Sequence, residues 1–175
     1  MVPAPYFKPE NGNTDIQILN YALTLEHLEA AFYVQVVASN VLAGDEQKTF
    51  VVIRDHETAH VTGLTKAITA AGGTPVKPRQ SYNFGDLSTR ANILSLANTF
   101  EPTGVGAYDG VAFEIKNKAY LTVAGQIVQI EARHAATIRE IIAPNDNPVP
   151  MAYEQTLRPQ QVLDAVKPFL GPEQM

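Results

Sequence analysis

The chain has 175 residues, room for one domain and a tail, and 45% of them are hydrophobic, ample for a single core. A formal net charge of −5 with no basic stripe argues against nucleic acid as a partner, and no apolar run reaches the ~18–20 residues of a membrane span. Cysteine is absent, which excludes disulfides, thiolate metal sites and cysteine nucleophiles. Metal chemistry then falls to Glu, Asp and His, which suit harder ions such as iron and manganese. Charged residues make up only 18%, so much of the helical surface is expected to be buried.

Residues 1–13, with Pro3, Pro5, Pro9 and Gly12, read as an extended arm. The start has neither an apolar h-region nor basic residues, so no signal peptide is read. A mature exported chain with an added Met1 reads the same, and the compartment stays open. From Ile16 the apolar residues recur at helical spacing through Leu19, Leu23, Leu28, Phe32 and Val36, predicting a helix over 14–43 that Gly44 ends. Asp45 can cap a second helix, carried by Phe50, Ile53, Leu64 and Ile68 to residue 71, where Gly72-Gly73 and Pro75 stop it. Residues 73–86 lack helical periodicity. A connection of that length is expected where a bundle needs a crossover from one end to the other.

A third helix starts near Leu87-Ser88 and runs through Ile93, Leu94, Ala97 and Phe100. Pro102 removes a backbone donor, so a kink or bulge is expected near 98–102. Gly104, Gly106 and Gly110 follow and allow close backbone approach. A fourth helix runs from 117 or 118 to 143, where Pro144 stops it. The tail, 144–175, is proline-rich, with one short helix over about 159–169 docked by Val162, Leu163, Val166 and Phe169. The expected organisation is a bundle over 14–143, the arm before it and the tail after it.

The second and fourth helices each carry E-x-x-H, as Glu57-Thr58-Ala59-His60 and Glu131-Ala132-Arg133-His134. Positions three apart on a helix lie one turn apart on the same face, so each stretch offers a carboxylate and an imidazole to one point. Glu57 follows Glu26 by 31 positions, and Glu131 follows Glu101 by 30. In both halves a tyrosine, Tyr33 or Tyr108, stands two helical turns beyond the first Glu. In the first hairpin the two glutamates differ in height from the turn by less than ~8 Å, and the second hairpin is better matched. Glu26, Glu57, His60, Glu101, Glu131 and His134 can therefore lie in one layer.

The pattern E…E-x-x-H…E…E-x-x-H over about 14–143 resembles the ferritin-like superfamily. The wording Leu25-Glu26-His27-Leu28-Glu29-Ala30-Ala31-Phe32-Tyr33, with Glu131 to Ala136 later, is similar to a branch of plant desiccation-related and fungal stress-response proteins. The resemblance implies an all-α four-helix bundle of two antiparallel hairpins joined by one long crossover. It implies two divalent ions, Fe or Mn, with Glu57 and Glu131 bridging and central to the chemistry. Glu26 and Glu101 would be terminal ligands, and His60 and His134 would each bind one metal through a ring nitrogen. Four carboxylates and two divalent cations balance in charge, which buried groups require. Such a pair, about 3.5–4 Å apart, acts on O2, peroxide or Fe(II).

Several readings stay open. Glu29 can be a seventh ligand, a substitute for Glu26 or a nearby base. Tyr33 and Tyr108 can be hydrogen-bond partners, radical relays or ordinary core residues. His56 to His60 also spells the zinc-protease H-E-x-x-H. That reading leaves Glu131 and His134 unexplained and finds no strand pattern for a substrate, so His56 is expected to face outward or to support a ligand. His27 is expected to point from Glu26 towards the surface. A kink at Pro102 would swing Glu101 out of the layer, and a bulge would aim it inward. Alternative functions are a non-catalytic stress-associated or structural protein and iron storage. The tail does not resemble the short fifth helix of a storage cage, so a monomer or dimer is expected.

Overall fold

The computed structural model describes residues 6–7 and 14–173; most of the arm predicted at 1–13 lies outside the described residues. Helices α1 (Thr14–Ser39) and α2 (Gly44–Ala70) form one hairpin. Helices α3 (Arg90–Val111), continued by a 3-10 turn at Ala112–Glu114, and α4 (Lys118–Ile142) form the other. Packing is densest within each hairpin, and between hairpins α1 meets α3 and α2 meets α4. The result is an all-α four-helix bundle. No helix of the described residues is long and apolar enough to cross a membrane.

Local chemistry sets the helix ends, and three differ from the periodicity. α1 ends at Ser39 rather than 43, because Asn40 takes a left-handed φ of 54°. Asparagine is the commonest substitute for glycine in that terminating position. α2 starts without a side-chain cap; Asp45 lies in its first turn and pairs with Lys48 at 2.8 Å. α3 starts at Arg90, not 87, because the Asp86 carboxylate accepts the Ser88 N–H at 2.8 Å, a local turn, and Thr89 then caps the helix by accepting from Asn92 N–H. Pro102 sits inside α3, and the helix runs unbroken through it. The donor it lacks would have served the carbonyl of Asn98, which is an exposed residue that water can reach.

α1 carries apolar residues nearly all round because it is covered nearly all round. Over residues 71–89 the chain crosses its outer side, held where Asn20 donates to the Thr74 carbonyl at 3.1 Å and accepts from Val76 N–H at 2.8 Å. The crossover then drops Phe84 into a cluster with Phe32 and Phe100, centroids 5.4 and 6.0 Å away, and Phe169 of the tail closes on Phe100 at 4.9 Å. At the far end Asp15 accepts the N–H groups of Lys116 and Asn117 at 2.9 and 2.8 Å, tying α1 to the second hairpin.

The tail returns across α3 and ends in α5 (Pro159–Val166), which packs on α3 through Val162 and Val166, and a 3-10 turn (Lys167–Phe169). Leu157 N–H donates to the Gly106 carbonyl at 3.0 Å. This approach needs glycine: a Cβ at Gly110 would lie 1.9 Å from the Leu157 carbonyl oxygen, and one at Gly106 2.7 Å from that of Gln155.

These contacts predict opposite effects for two similar substitutions. Gly110→Ala should cost about 1–3 kcal/mol by lifting the tail from α3. Gly125→Ala, on α4 where a Cβ meets nothing within 4 Å, should gain up to about 1 kcal/mol. Urea denaturation of both variants measures the difference, and equal effects would contradict this packing.

Candidate metal centre

Midway along the bundle each of the four helices contributes a buried glutamate: Glu26 from α1, Glu57 from α2, Glu101 from α3 and Glu131 from α4, all 0% exposed. The i+3 spacing brings in His60 beside Glu57 and His134 beside Glu131. The six residues anticipated from sequence are thus brought together, and Pro102 leaves Glu101 turned inward. They fall into two groups that can each hold a metal ion: Glu26, Glu57, His60 and Glu131, and Glu57, Glu101, Glu131 and His134. Within each group the offered atoms lie within 4.8 Å of one another, and Glu57 and Glu131 belong to both.

Both imidazoles turn Nδ1 inward. His60 Nδ1 lies 3.2 Å from Glu26, 3.3 Å from Glu57 and 3.1 Å from Glu131. His134 Nδ1 lies 3.0 Å from Glu57 and 3.3 Å from Glu101. Buried polar atoms are nevertheless left over. Both Glu131 oxygens, one each of Glu57 and Glu101, and His134 Nδ1 make no well-aligned hydrogen bond; Glu131 Oε2 has no partner at all, and the others have only the ion-pair contacts just given. Buried polar groups are rarely left so. Here the unsatisfied atoms are oxygens and an imidazole nitrogen, the donor set of a hard or borderline divalent cation. The residues present therefore fit a metal.

The surroundings repeat the internal symmetry. Tyr33 of α1 donates to Glu101 of α3, and Tyr108 of α3 donates to Glu26 of α1 at 2.5 Å. Burial first, and then the neighbouring carboxylates, hold both phenols well above their usual pKa, so they remain donors. Glu29 is buried one turn beyond Glu26 but belongs to neither group. Gly104 leaves it room: a Cβ there would lie 3.2 Å from Glu29 Oε1 and 3.4 Å from Glu131 Oε2. His56 Nδ1 lies 2.9 Å from His134 Nε2, on the side away from the carboxylates. The first E-x-x-H therefore serves the second through the residue before it, a link that spacing alone leaves undecided. His27 points away from the centre, half-buried beneath the crossover rather than free on the surface, 3.2 Å from the Val76 carbonyl.

Burial disfavours every charge in this cluster, and the histidines decide where charge survives. His60 is buried, yet Glu131, Glu26 and Glu57 together push its pKa up to about 12. Glu101 and Glu57 likewise outweigh burial at His134 and push it up to about 10. Glu57, against both histidines, is drawn down to about 2 despite its burial. For the other carboxyls burial prevails and Glu57's charge adds to it. Glu26 rises to about 7, Glu101 rises, and Glu131 lies well above the usual carboxylate range. Glu29 also lies well above it, through burial and then the charges of Glu131, Glu57, Glu101 and Glu26. In the metal-free protein, protons balance the buried charge.

Residues 14–144 match the family of ferritin-like domains. The chain belongs to that family, and its buried glutamates and histidines form a cluster that can bind metal. Among solved structures, the crystal structure of a conserved hypothetical protein, rv2844, from Mycobacterium tuberculosis is similar in fold. It has a TM-score of 0.70 at 18% sequence identity and covers 82% of this chain and 99% of its own. No curated protein matches the sequence significantly.

Two predictions follow from the electrostatics and from His56. A raised pKa means that a group's contribution to stability is full below its ordinary value and lost as pH rises through the folded one. This applies to Glu26 between 4.5 and about 7 and to His134 between 6.5 and about 10. Glu57 runs the other way, its contribution present above 4.5 and lost only as pH falls towards 2. Metal-free protein should therefore lose stability to urea from about pH 6 to about pH 10, and a bound divalent cation should flatten the profile. A stability that rises over that range contradicts this cluster. Separately, His56→Ala should weaken metal binding by about 10–100-fold, with His56→Asn weakening it less, as read by anaerobic calorimetry.

Proposed function

We propose that the chain holds two divalent ions, iron or manganese, and performs redox chemistry on dioxygen, peroxide or ferrous iron. The observation that carries this reading is the sharing of Glu57 and Glu131 by two buried ligand groups, in which both oxygens of the shared Glu131 lack a hydrogen bond. Two ions bound there supply one electron each to an oxidant.

The protein's own side chains do the rest. Glu57 and Glu131 would serve both ions, Glu26 and His60 one of them, Glu101 and His134 the other. Ligation through Nδ1 leaves each imidazole its proton on Nε2, and His134 then donates that proton to His56. Tyr33 and Tyr108 fix Glu101 and Glu26, so the terminal carboxylates stay aimed when protons leave and cations arrive. Glu29 stands buried beside the centre without a place in either group. The four ligand carboxylates neutralise two divalent ions, so loading replaces protons with an equal charge. The resemblance to desiccation-related and stress-response proteins, carried by residues 25–33 and 131–136, fits a protective role for such chemistry.

Metal titration followed by exposure to oxidant tests the reading. The wild type should bind two ions per chain, and the Fe(II) form should consume dioxygen. The Mn(II) form should be assayed for peroxide dismutation. Glu57→Ala and Glu131→Ala should each abolish paired binding. A wild type that binds no ion, or either variant still holding two, would refute the assignment; two bound ions with no reaction would favour a non-catalytic role.

A further inference from the structure

The clustered side chains are not equally sealed. The glutamates expose 0% of their side-chain surface and His134 exposes 6%, its outer nitrogen covered by His56, whereas His60 exposes 11%. His60 also lines a groove between α2 and α4 of about 260 Å³, whose walls are Ala59 and Gly63 on α2 and Val123, Gln126, Ile127 and Ile130 on α4.

Gly63 has no structural reason to be glycine. It lies inside α2, without a positive φ, and a Cβ there would meet nothing within 4 Å. Glycine weakens a helix interior, and here neither a turn nor packing asks for it. It stands three residues beyond His60, where a larger side chain would lie over the groove. Apart from His60 itself the groove is lined by no ionisable residue, and Gln126 is its one other polar side chain. Such walls offer no replacement for the water shell of a cation, whereas a small neutral molecule brings no charge to desolvate.

We propose that a small neutral oxidant, dioxygen or hydrogen peroxide, reaches the centre through the α2–α4 groove across His60, and that Gly63 keeps this route open. The proposal rests on the redox reading above. Once there, two Fe(II) give up two electrons in all: with two protons, dioxygen leaves as hydrogen peroxide, and hydrogen peroxide leaves as two waters.

The first arm of the test needs no metal. Dissolved oxygen is paramagnetic and speeds the relaxation of nuclei it approaches. Under oxygen pressure, the Ile127 methyl and the His60 ring protons of metal-free protein should show an enhancement several-fold above that of the sealed Ile93 and Ile138 methyls. Gly63→Leu should remove that excess. Gly125→Leu, in equally open space on α4 but outside the groove, should leave it. Equal enhancement at all four sites, or an excess that survives Gly63→Leu, overturns the proposal. In the second arm, Gly63→Leu should keep the wild-type affinity for Mn(II), while its Fe(II) form is oxidised roughly tenfold more slowly than wild type. Slowing with dioxygen alone, or with peroxide alone, assigns the route to that oxidant, and unchanged rates with both overturn it. A wild type that binds no metal refutes the redox reading instead, and the relaxation arm still decides the groove.

Discussion

Four glutamates without exposed surface, and a fifth nearly as deep, converge halfway along this bundle. Carboxylates taken out of water and set side by side repel one another and lose their hydration, which costs several kcal/mol for each uncompensated charge. Something positive must balance them. In the metal-free chain it is protons, held on His60 and His134 and on the Glu29 and Glu131 carboxyls. The same arithmetic suits two divalent cations. Glu57 is the pivot: of the five clustered glutamates it is the one drawn below its usual pKa, because both imidazoles face it.

The rest of the fold keeps that cluster in place. Each hairpin supplies a glutamate from one arm and an E-x-x-H from the other. The tyrosines bridge between hairpins, each fastening the other half's buried Glu101 or Glu26. Gly104 lets α3 come up to Glu29 and Glu131 without a side chain between. Further out, the crossover seals α1, Asp15 ties α1 to the start of α4, and the tail lies over α3 where Gly106 and Gly110 admit it.

The bundle and the convergence of six residues were legible because both depend on short-range periodicity. Apolar spacing of 3.6 residues marks helices, and a carboxylate and imidazole three apart mark one face. What escaped depends on contacts distant in sequence or on local side-chain competition. Asn40 ends α1 by taking a left-handed turn that apolar spacing does not register. Asp86 delays α3 by capturing Ser88 N–H. Near Pro102, where the sequence points to a kink or bulge, α3 stays helical, since an exposed carbonyl one turn back tolerates the lost donor. Asp15 lies in the first turn of α1, yet it bonds residues 101 and 102 positions away. The pairing of His56 with His134 spans 78 positions and has no periodic trace.

Two cations sharing Glu57 and Glu131 are the central proposal for this site, and anomalous diffraction tests it most directly. Crystals of protein grown with both iron and manganese, measured at both absorption edges, should give two peaks about 3.5–4 Å apart between these carboxylates, one on the His60 side and one on the His134 side. No peak at this place in a metal-supplied crystal, or a single ion held outside the two shared carboxylates, would contradict it.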